Sequence, residues 1–167
     1  MKKEDDPLWD DPKPTLLGYG FYKLEPIAYL MSNPAKISKI SQIGTCVGQS
    51  TCDLIAHDDD NYEYDEVPSD PYDLVGQPLN FTVYIKEAVD VPENFSKNIQ
   101  MEYNCFMDNM TYKTKVIDEK TKNPVFEERF EHRIEYMTKE DIDYLVNEKV
   151  FLRKFLLKFY YNYYFYK

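Results

Sequence analysis

The chain has 167 residues, with 20 Lys or Arg against 30 Asp or Glu, and a formal net charge of −10. That acidity weighs against nucleic acid, against unassisted binding to anionic membranes and against direct docking on an acidic polymer such as a microtubule, because all three attract basic surfaces. The length suits one domain with an extension, and 16 Tyr and 10 Phe supply enough apolar area for a core of ordinary size.

Cys46, Cys52 and Cys105 are odd in number and irregularly spaced, which argues against a disulfide framework or a zinc site. The N-terminal MKKEDDPLWDDPKP has no apolar core of the signal-peptide kind, and no window is apolar enough to span a bilayer. A cytoplasmic chain without a transmembrane segment is expected. Without an export signal, the sequons at Asn80, Asn94 and Asn109 read as chance.

Residues 1–14 place Asp5, Asp6, Asp10 and Asp11 among three prolines and read as an extended acidic lead-in, with Trp9 as a buried anchor. Residues 15–57 read as a β-rich segment. A strand is expected from about Leu16 to Leu24, closed near Pro26 by a turn or short helical piece. A hairpin follows over Ile37–Ala56, turning at Gln42–Gly44, with Val47–Ile55 as its second arm. Residues 58–78 are an acidic, proline-bearing linker. Asp58, Asp59, Asp60, Glu63, Asp65 and Glu66 crowd together, and Pro68 and Pro71 oppose regular structure after them. The ordinary reading is a solvated loop; the functional one is an acidic docking loop for a basic partner.

Residues 79–152 carry the clearest pattern. Leu79, Phe81, Val83 and Ile85 alternate with Asn80, Thr82, Tyr84 and Lys86. Ile99, Met101, Tyr103 and Cys105 stand opposite Gln100, Glu102 and Asn104. Phe130, His132, Ile134 and Tyr136 alternate with Arg129, Glu131, Arg133 and Glu135. Period-2 alternation of this kind predicts three half-buried strands in an antiparallel sheet with one covered face. Asn123-Pro124 holds the chain extended before the third strand. Thr138 followed by Asp141 is a capping-box variant opening a short helix whose stripe is Ile142, Leu145 and Val146. Lys149–Leu152 begins another strand. Residues 153–167 lose all alternation. Their Phe, Tyr, Leu, Lys and Asn have A/T-rich codons, so translated non-coding sequence is preferred over a terminal strand or a membrane-surface segment.

No catalytic constellation emerges. Gly44 and Gly48 are separated by three residues and followed by Gln49, whereas a phosphate loop needs four and then a Lys. A tight hairpin turn explains both glycines. His57 beside Asp58, Asp59 and Asp60 could suggest a metal, but consecutive acidic residues in one loop seldom point at one centre. His132, on the apolar face of its strand, reads as a packed, hydrogen-bonded core histidine. With no nucleophile–base pair, no catalytic, cofactor-binding or metal-ligating residue is assigned, and an enzyme is disfavoured.

Four motifs, in order, resemble one family. Leu17-Gly18 with Leu24-Glu25-Pro26 resembles an LG-x-A-x-x-x-LEPL segment. Gly44, Val47 and Gly48 resemble a G-x-V-x-G turn. Leu79 to Pro92 resembles an F-x-V-x-I-x-E-A-x-x-L-P strand. Lys113-Thr114 with Asn123-Pro124-Val125-Phe126 resembles the KT…NP-x-F step of C2 domains. Over residues 7–152 the chain is similar to the C2-like region in the tail of kinesin-3 family motors. The resemblance implies an all-β fold, an antiparallel C2-like β-sandwich over residues 79–152 with an N-terminal β-hairpin extension and one short helix. It also implies a cytoplasmic, cytoskeleton-associated role in microtubule-based vesicle transport. A cargo adaptor or the motor domain of the parent protein would be the partner, with the microtubule reached only through that motor.

The departures are equally specific. No nucleotide loop, switch motif or neck coiled coil is present, and the pattern L-x-x-x-V-x-G expected after the short helix gives way to the aromatic tail. A sandwich lacking its last strands, with an exposed edge, is therefore expected. The loop Asp90–Lys97, which would correspond to the first calcium loop, offers one Asp and one Glu, so calcium independence is expected. Two alternatives stand beside the interaction module: a calcium-dependent membrane-binding C2 domain, and a mispredicted gene fragment without independent function.

Overall fold

The computed structural model describes residues 14–18, 20, 22–37, 41–42, 45–46, 48–104, 110–147 and 153–160. Among the described residues ten strands and two helices succeed one another: β1 (Pro14–Gly18), α1 (Glu25–Ala28), β2 (Asn33–Ile37), β3 (Ser41–Gln42), β4 (Thr45–Cys46), β5 (Gln49–His57), β6 (Leu79–Val89), β7 (Ile99–Asn104), β8 (Thr111–Lys113), β9 (Val125–Ile134), α2 (Lys139–Asn147) and β10 (Arg153–Tyr160). The strands form two four-stranded sheets, ordered β1-β10-β7-β8 and β2-β5-β6-β9, and a small β3-β4 ribbon. Every pairing among them is antiparallel. The fold is predominantly antiparallel β, as the alternation predicts.

β6 is the centre of its sheet because its alternation is the longest and most regular. Leu79, Phe81, Val83 and Ile85 are buried to within 1% of full exclusion and face inward together. β5 lies on one side, from Gln49 opposite Val89 to His57 opposite Asn80, and β9 on the other, from Leu79 opposite Ile134 to Glu87 opposite Val125. The β-rich segment 15–57 and the segment 79–152 therefore share one sheet, and the acidic linker between them is an internal connection of that sheet.

The two sheets meet through an aromatic layer. Tyr103 of β7 stacks on Tyr112 of β8 at 5.0 Å, and both rings meet Phe130 edge-on. His132 of β9 stacks on Phe81 at 4.8 Å and lies within 2.7 Å of the Tyr103 hydroxyl. Offset and edge-to-face contacts of this kind add to the gain from area burial. His132 is thus a buried, hydrogen-bonded core residue, in keeping with its place on the apolar face.

Several expectations are corrected. The first strand ends at Gly18 rather than Leu24, while the short helical piece expected near Pro26 is α1, with Pro26 in its first turn. A proline is tolerated there because the first-turn N–H groups have no intrahelical partner. Pro71 likewise opens a 3-10 turn over Pro71–Leu74, capped by the Asp70 carboxylate, which accepts from Tyr72 N at 2.9 Å. The third strand begins earlier, at Val125, and ends before Tyr136, which is 65% exposed. The polar faces of β6 and β7 are not uniformly wet, since Asn80, Thr82, Gln100 and Glu102 are all buried. The edge expected to be bare is instead covered: Arg153–Tyr160 of the aromatic tail forms β10, paired with β1 on one side and β7 on the other. Trp9, Cys105 and Lys149–Leu152 lie outside the described residues.

Other local expectations match the structure. β3 and β4 pair across the predicted Gln42–Gly44 turn, and β2 and β5 continue that hairpin from Ile37 opposite Ser50 to Asn33 opposite Leu54. At the head of α2, Thr138 N donates to the Asp141 carboxylate at 2.9 Å, and Asp141 N returns a bond to Thr138 Oγ1 at 3.2 Å. This is the reciprocal capping predicted from the spacing.

Candidate functional site

The acidic loop starts from a fixed point. His57, the last residue of β5, is buried, with Nδ1 2.9 Å from the Asp58 carbonyl oxygen and Nε2 3.0 Å from Thr82 Oγ1. A carbonyl can only accept, so Nδ1 carries the proton. Both ring nitrogens are engaged within the protein. Among the described residues no group of three or more His, Cys, Asp or Glu is arranged to hold a metal ion.

Asp58 then shapes the loop from within. Its Oδ1 accepts from Asp60 N at 2.9 Å and Tyr62 N at 2.8 Å, while Asp58 N donates to Tyr62 O at 2.9 Å. This side-chain mimicry of a backbone turn is what Asp does well in loops. Asn61 takes a left-handed φ of +65° at the tip, a conformation Asn tolerates better than most residues.

Asp59 ties the loop to the sheet. Its Oδ1 accepts from Asn80 Nδ2 of β6 at 2.8 Å and from the Arg133 guanidinium of β9 at 2.5 Å. Arg133 Nε in turn donates to Glu135 Oε1 at 2.7 Å. The Asn80 hydrogen bond, and after it the Arg133 hydrogen bond and charge, hold the Asp59 carboxyl below its ordinary range. Tyr64 is half-buried against the core; burial first, and the negative charges of Asp58 and Asp59 second, push its phenol up.

The six residues singled out from the sequence therefore divide. Asp58 and Asp59 build and anchor the loop. Asp60, Glu63, Asp65 and Glu66 are exposed beside Tyr62, which is 72% exposed, and Val67, which is 55% exposed. Of the six, only these four are presented outward as carboxylates available to a partner.

The antiparallel sheet enlarges this surface. The segment after β9 emerges at the same end as the segment before β6, because Ile134 lies opposite Leu79. Gly76 N donates to Met137 O at 2.8 Å and Met137 N to Gln77 O at 2.9 Å, stitching the two connections together. The Tyr72 hydroxyl donates to the Asp143 carboxylate of α2, and Lys139 Nζ stands 5.8 Å from the Tyr72 ring centroid. Exposed Tyr136 packs beside Gly76, and Val75 adjoins it, 43% exposed.

The charge count shows how uneven the two ends are. Residues 58–73 carry eight carboxylates and no Lys or Arg, and residues 135–147 carry four against Lys139 alone. At the opposite end, residues 90–98 and 113–124 together carry four carboxylates and five lysines. There Glu93 receives Lys120 at 3.2 Å and Lys122 at 3.6 Å, and the Lys120 hydrogen bond leads the lowering of its pKa. The one Glu of the would-be calcium loop is thus already paired with lysines.

The contribution of α2 and the exposed Tyr72, Val75 and Tyr136 is not apparent from local sequence. Loop alternation in an antiparallel sheet was the available signal, since it places every second connection at the same end. No family model matches the chain, and no curated protein matches it. Among the described residues no helix is long and apolar enough to cross a membrane.

Proposed function

We propose that this chain is a non-catalytic, calcium-independent interaction module whose acidic end docks a basic protein surface. The observation that carries the reading is the collection of carboxylates from two connections at one end of the sheet, interleaved with exposed Tyr62, Tyr72 and Tyr136. Carboxylates steer and select a cationic partner, and exposed aromatic rings supply the apolar contact area that makes such an encounter last. The order of four motifs supports a placement in the C2-like tail of a kinesin-3 motor. In that setting the basic surface belongs to a cargo adaptor or to the motor domain itself, where docking would be autoinhibitory. The protein would then serve microtubule-based vesicle transport in the cytoplasm, reaching the microtubule only through the motor.

The test is a binding titration of the full chain against a purified kinesin-3 motor domain at low and high salt. A variant with Asp60→Asn, Glu63→Gln, Asp65→Asn and Glu66→Gln is compared with one neutralised at Asp90, Asp118 and Glu119. The reading expects the first variant alone to lose roughly tenfold or more in affinity, and salt to weaken the wild-type complex. Association that ignores both salt and the four substitutions would sink it. Calcium-dependent binding to anionic vesicles would favour the membrane-binding alternative instead.

A further inference from the structure

Two cations already meet one tyrosine in this fold, and they meet it differently. The Arg129 guanidinium stands 4.0 Å from the Tyr84 ring centroid, and the Tyr84 hydroxyl donates to the Glu127 carboxylate. Lys86 Nζ stands 5.2 Å from the same centroid and lies 2.5 Å from the Asp53 carboxylate. The chemistry of the two ions accounts for the difference. A guanidinium is planar and weakly hydrated, so it lies over a ring and keeps its N–H edge for a carboxylate. An ammonium is a compact, strongly hydrated point charge, and here it takes the carboxylate.

The acidic end sets the same ingredients on its outside. Tyr62 is largely exposed, with exposed Asp60 and Glu63 within two residues of it, and Tyr136 is largely exposed beside exposed Glu135. Arg133 bonds Asp59 at 2.5 Å and Glu135 at 2.7 Å, so one guanidinium ties the loop that carries Tyr62 to the segment that carries Tyr136. Both rings stand on anchored backbone. Tyr62 N donates to Asp58 Oδ1 at 2.8 Å, and Met137 N, next to Tyr136, donates to Gln77 O at 2.9 Å. Anchoring of this kind lowers the ordering cost of binding.

We propose that the partner of this end is an arginine-rich segment, with guanidinium groups lying on Tyr62 and Tyr136 and their N–H edges on the neighbouring carboxylates. This rests on the acidic end being a docking surface for a basic protein, and adds which cation it selects. Exposed carboxylates serve either cation; the rings make the distinction. Residues 58–73 contain no Lys or Arg, so nothing within that stretch competes for Tyr62. Tyr72 is not one of these rings, because its hydroxyl donates to Asp143 and Lys139 Nζ already stands 5.8 Å from its centroid.

Fluorescence anisotropy of the full chain with labelled nona-arginine and nona-lysine peptides tests this. The wild type is expected to bind the arginine peptide roughly fivefold or more tighter than the lysine peptide. Tyr62→Leu and Tyr136→Leu keep apolar bulk but remove the aromatic face. Each is expected to lose part of that advantage and the double variant most of it, while the lysine peptide is held within about twofold of the wild type. Equal affinity for the two peptides, or an arginine preference that survives the double substitution, overturns the selection of arginine and leaves the acidic end as a docking surface. A double variant that loses both peptides alike overturns it too. Binding of neither peptide by the wild type overturns both readings. Circular dichroism confirms that all four proteins are folded before they are compared.

Discussion

The Tyr103 hydroxyl and His132 Nε2 lie 2.7 Å apart across the space between the two sheets. Tyr103 belongs to β7 and His132 to β9, so this hydrogen bond joins one sheet to the other. Both side chains are buried, and the bond forms where water cannot replace it. Removing one partner of a buried pair costs about 1–3 kcal/mol, more than the bond's net worth, because the other keeps its desolvation penalty. Tyr103→Phe, which leaves the ring packing in place, is expected to lower unfolding stability by about that amount. Combining it with His132→Phe in a double-mutant cycle should give a coupling of about 1 kcal/mol. Additive losses in urea unfolding would show that the two residues act independently.

The Tyr22 hydroxyl donates to the Cys52 carbonyl and accepts from Cys52 N at 3.2 Å. It does so where the β5–β6 register slips, with Thr51 opposite Glu87 and Cys52 opposite Ile85, leaving Lys86 as the bulged residue. The slipped ladder disrupts normal pairing, and the phenol supplies both a donor and an acceptor there. Burial, followed by the Cys52 charge, raises the Tyr22 pKa; burial, followed by the Asp53 charge, raises that of the Cys52 thiol. Both groups stay protonated in the fold after their unfolded counterparts ionise. The native state then holds more protons, and stability falls as pH rises. The loss begins near the ordinary thiol value of 9.0 and steepens past the ordinary phenol value of 10.0. Each group adds a slope approaching about 1.4 kcal/mol per pH unit. Tyr22→Phe should remove the upper part of that slope. A flat stability profile from pH 8 to 11 would contradict it.

Gly48 has φ +128°, and a Cβ placed on it would sit 2.8 Å from the Val89 carbonyl oxygen. Both the dihedral and the close approach exclude a side chain without movement of the β6 terminus. Gly48→Ala is expected to cost about 1–3 kcal/mol or more, read as a lower midpoint in denaturant at an unchanged slope. A neutral substitution would mean that β6 can shift away from β5 at this end.

The alternation in β6 was legible because Leu79, Phe81, Val83 and Ile85 are all buried on one of its faces. The capping of α2 was legible because Thr138 and Asp141 are three residues apart and need nothing distant. What could not be read depends on distant chain. Asn80 and Thr82 look solvated from their alternation, yet they are buried because Asp59 and His57 return over them. Arg153–Tyr160 carries no alternation, and its strand shows only in its pairing with β1 and β7, both distant in the chain. The acidic loop was visible as composition. Its division into anchoring and outward-facing carboxylates was not, because Asp59 finds Arg133 only through the pairing of β6 with β9.

That division gives the last prediction. Asp59 fastens the loop to two strands, whereas neighbouring Asp60 points outward with the same charge. Its lowered pKa means that the anchored carboxylate persists above the ordinary value of 3.8 and is lost only as the pH falls below it. Asp59→Asn keeps a similar shape but removes the charge that Arg133 engages, so the loop should detach at neutral pH. Limited proteolysis within residues 58–66 should speed up markedly, as should amide exchange at Tyr62. Asp60→Asn removes the same charge and should leave both rates near the wild type, while weakening the hold on a basic partner. Because the first variant loosens the loop and the second does not, the pair separates folding of the loop from recognition by it. Equal proteolysis of the two variants would mean that Asp59 is not the anchor.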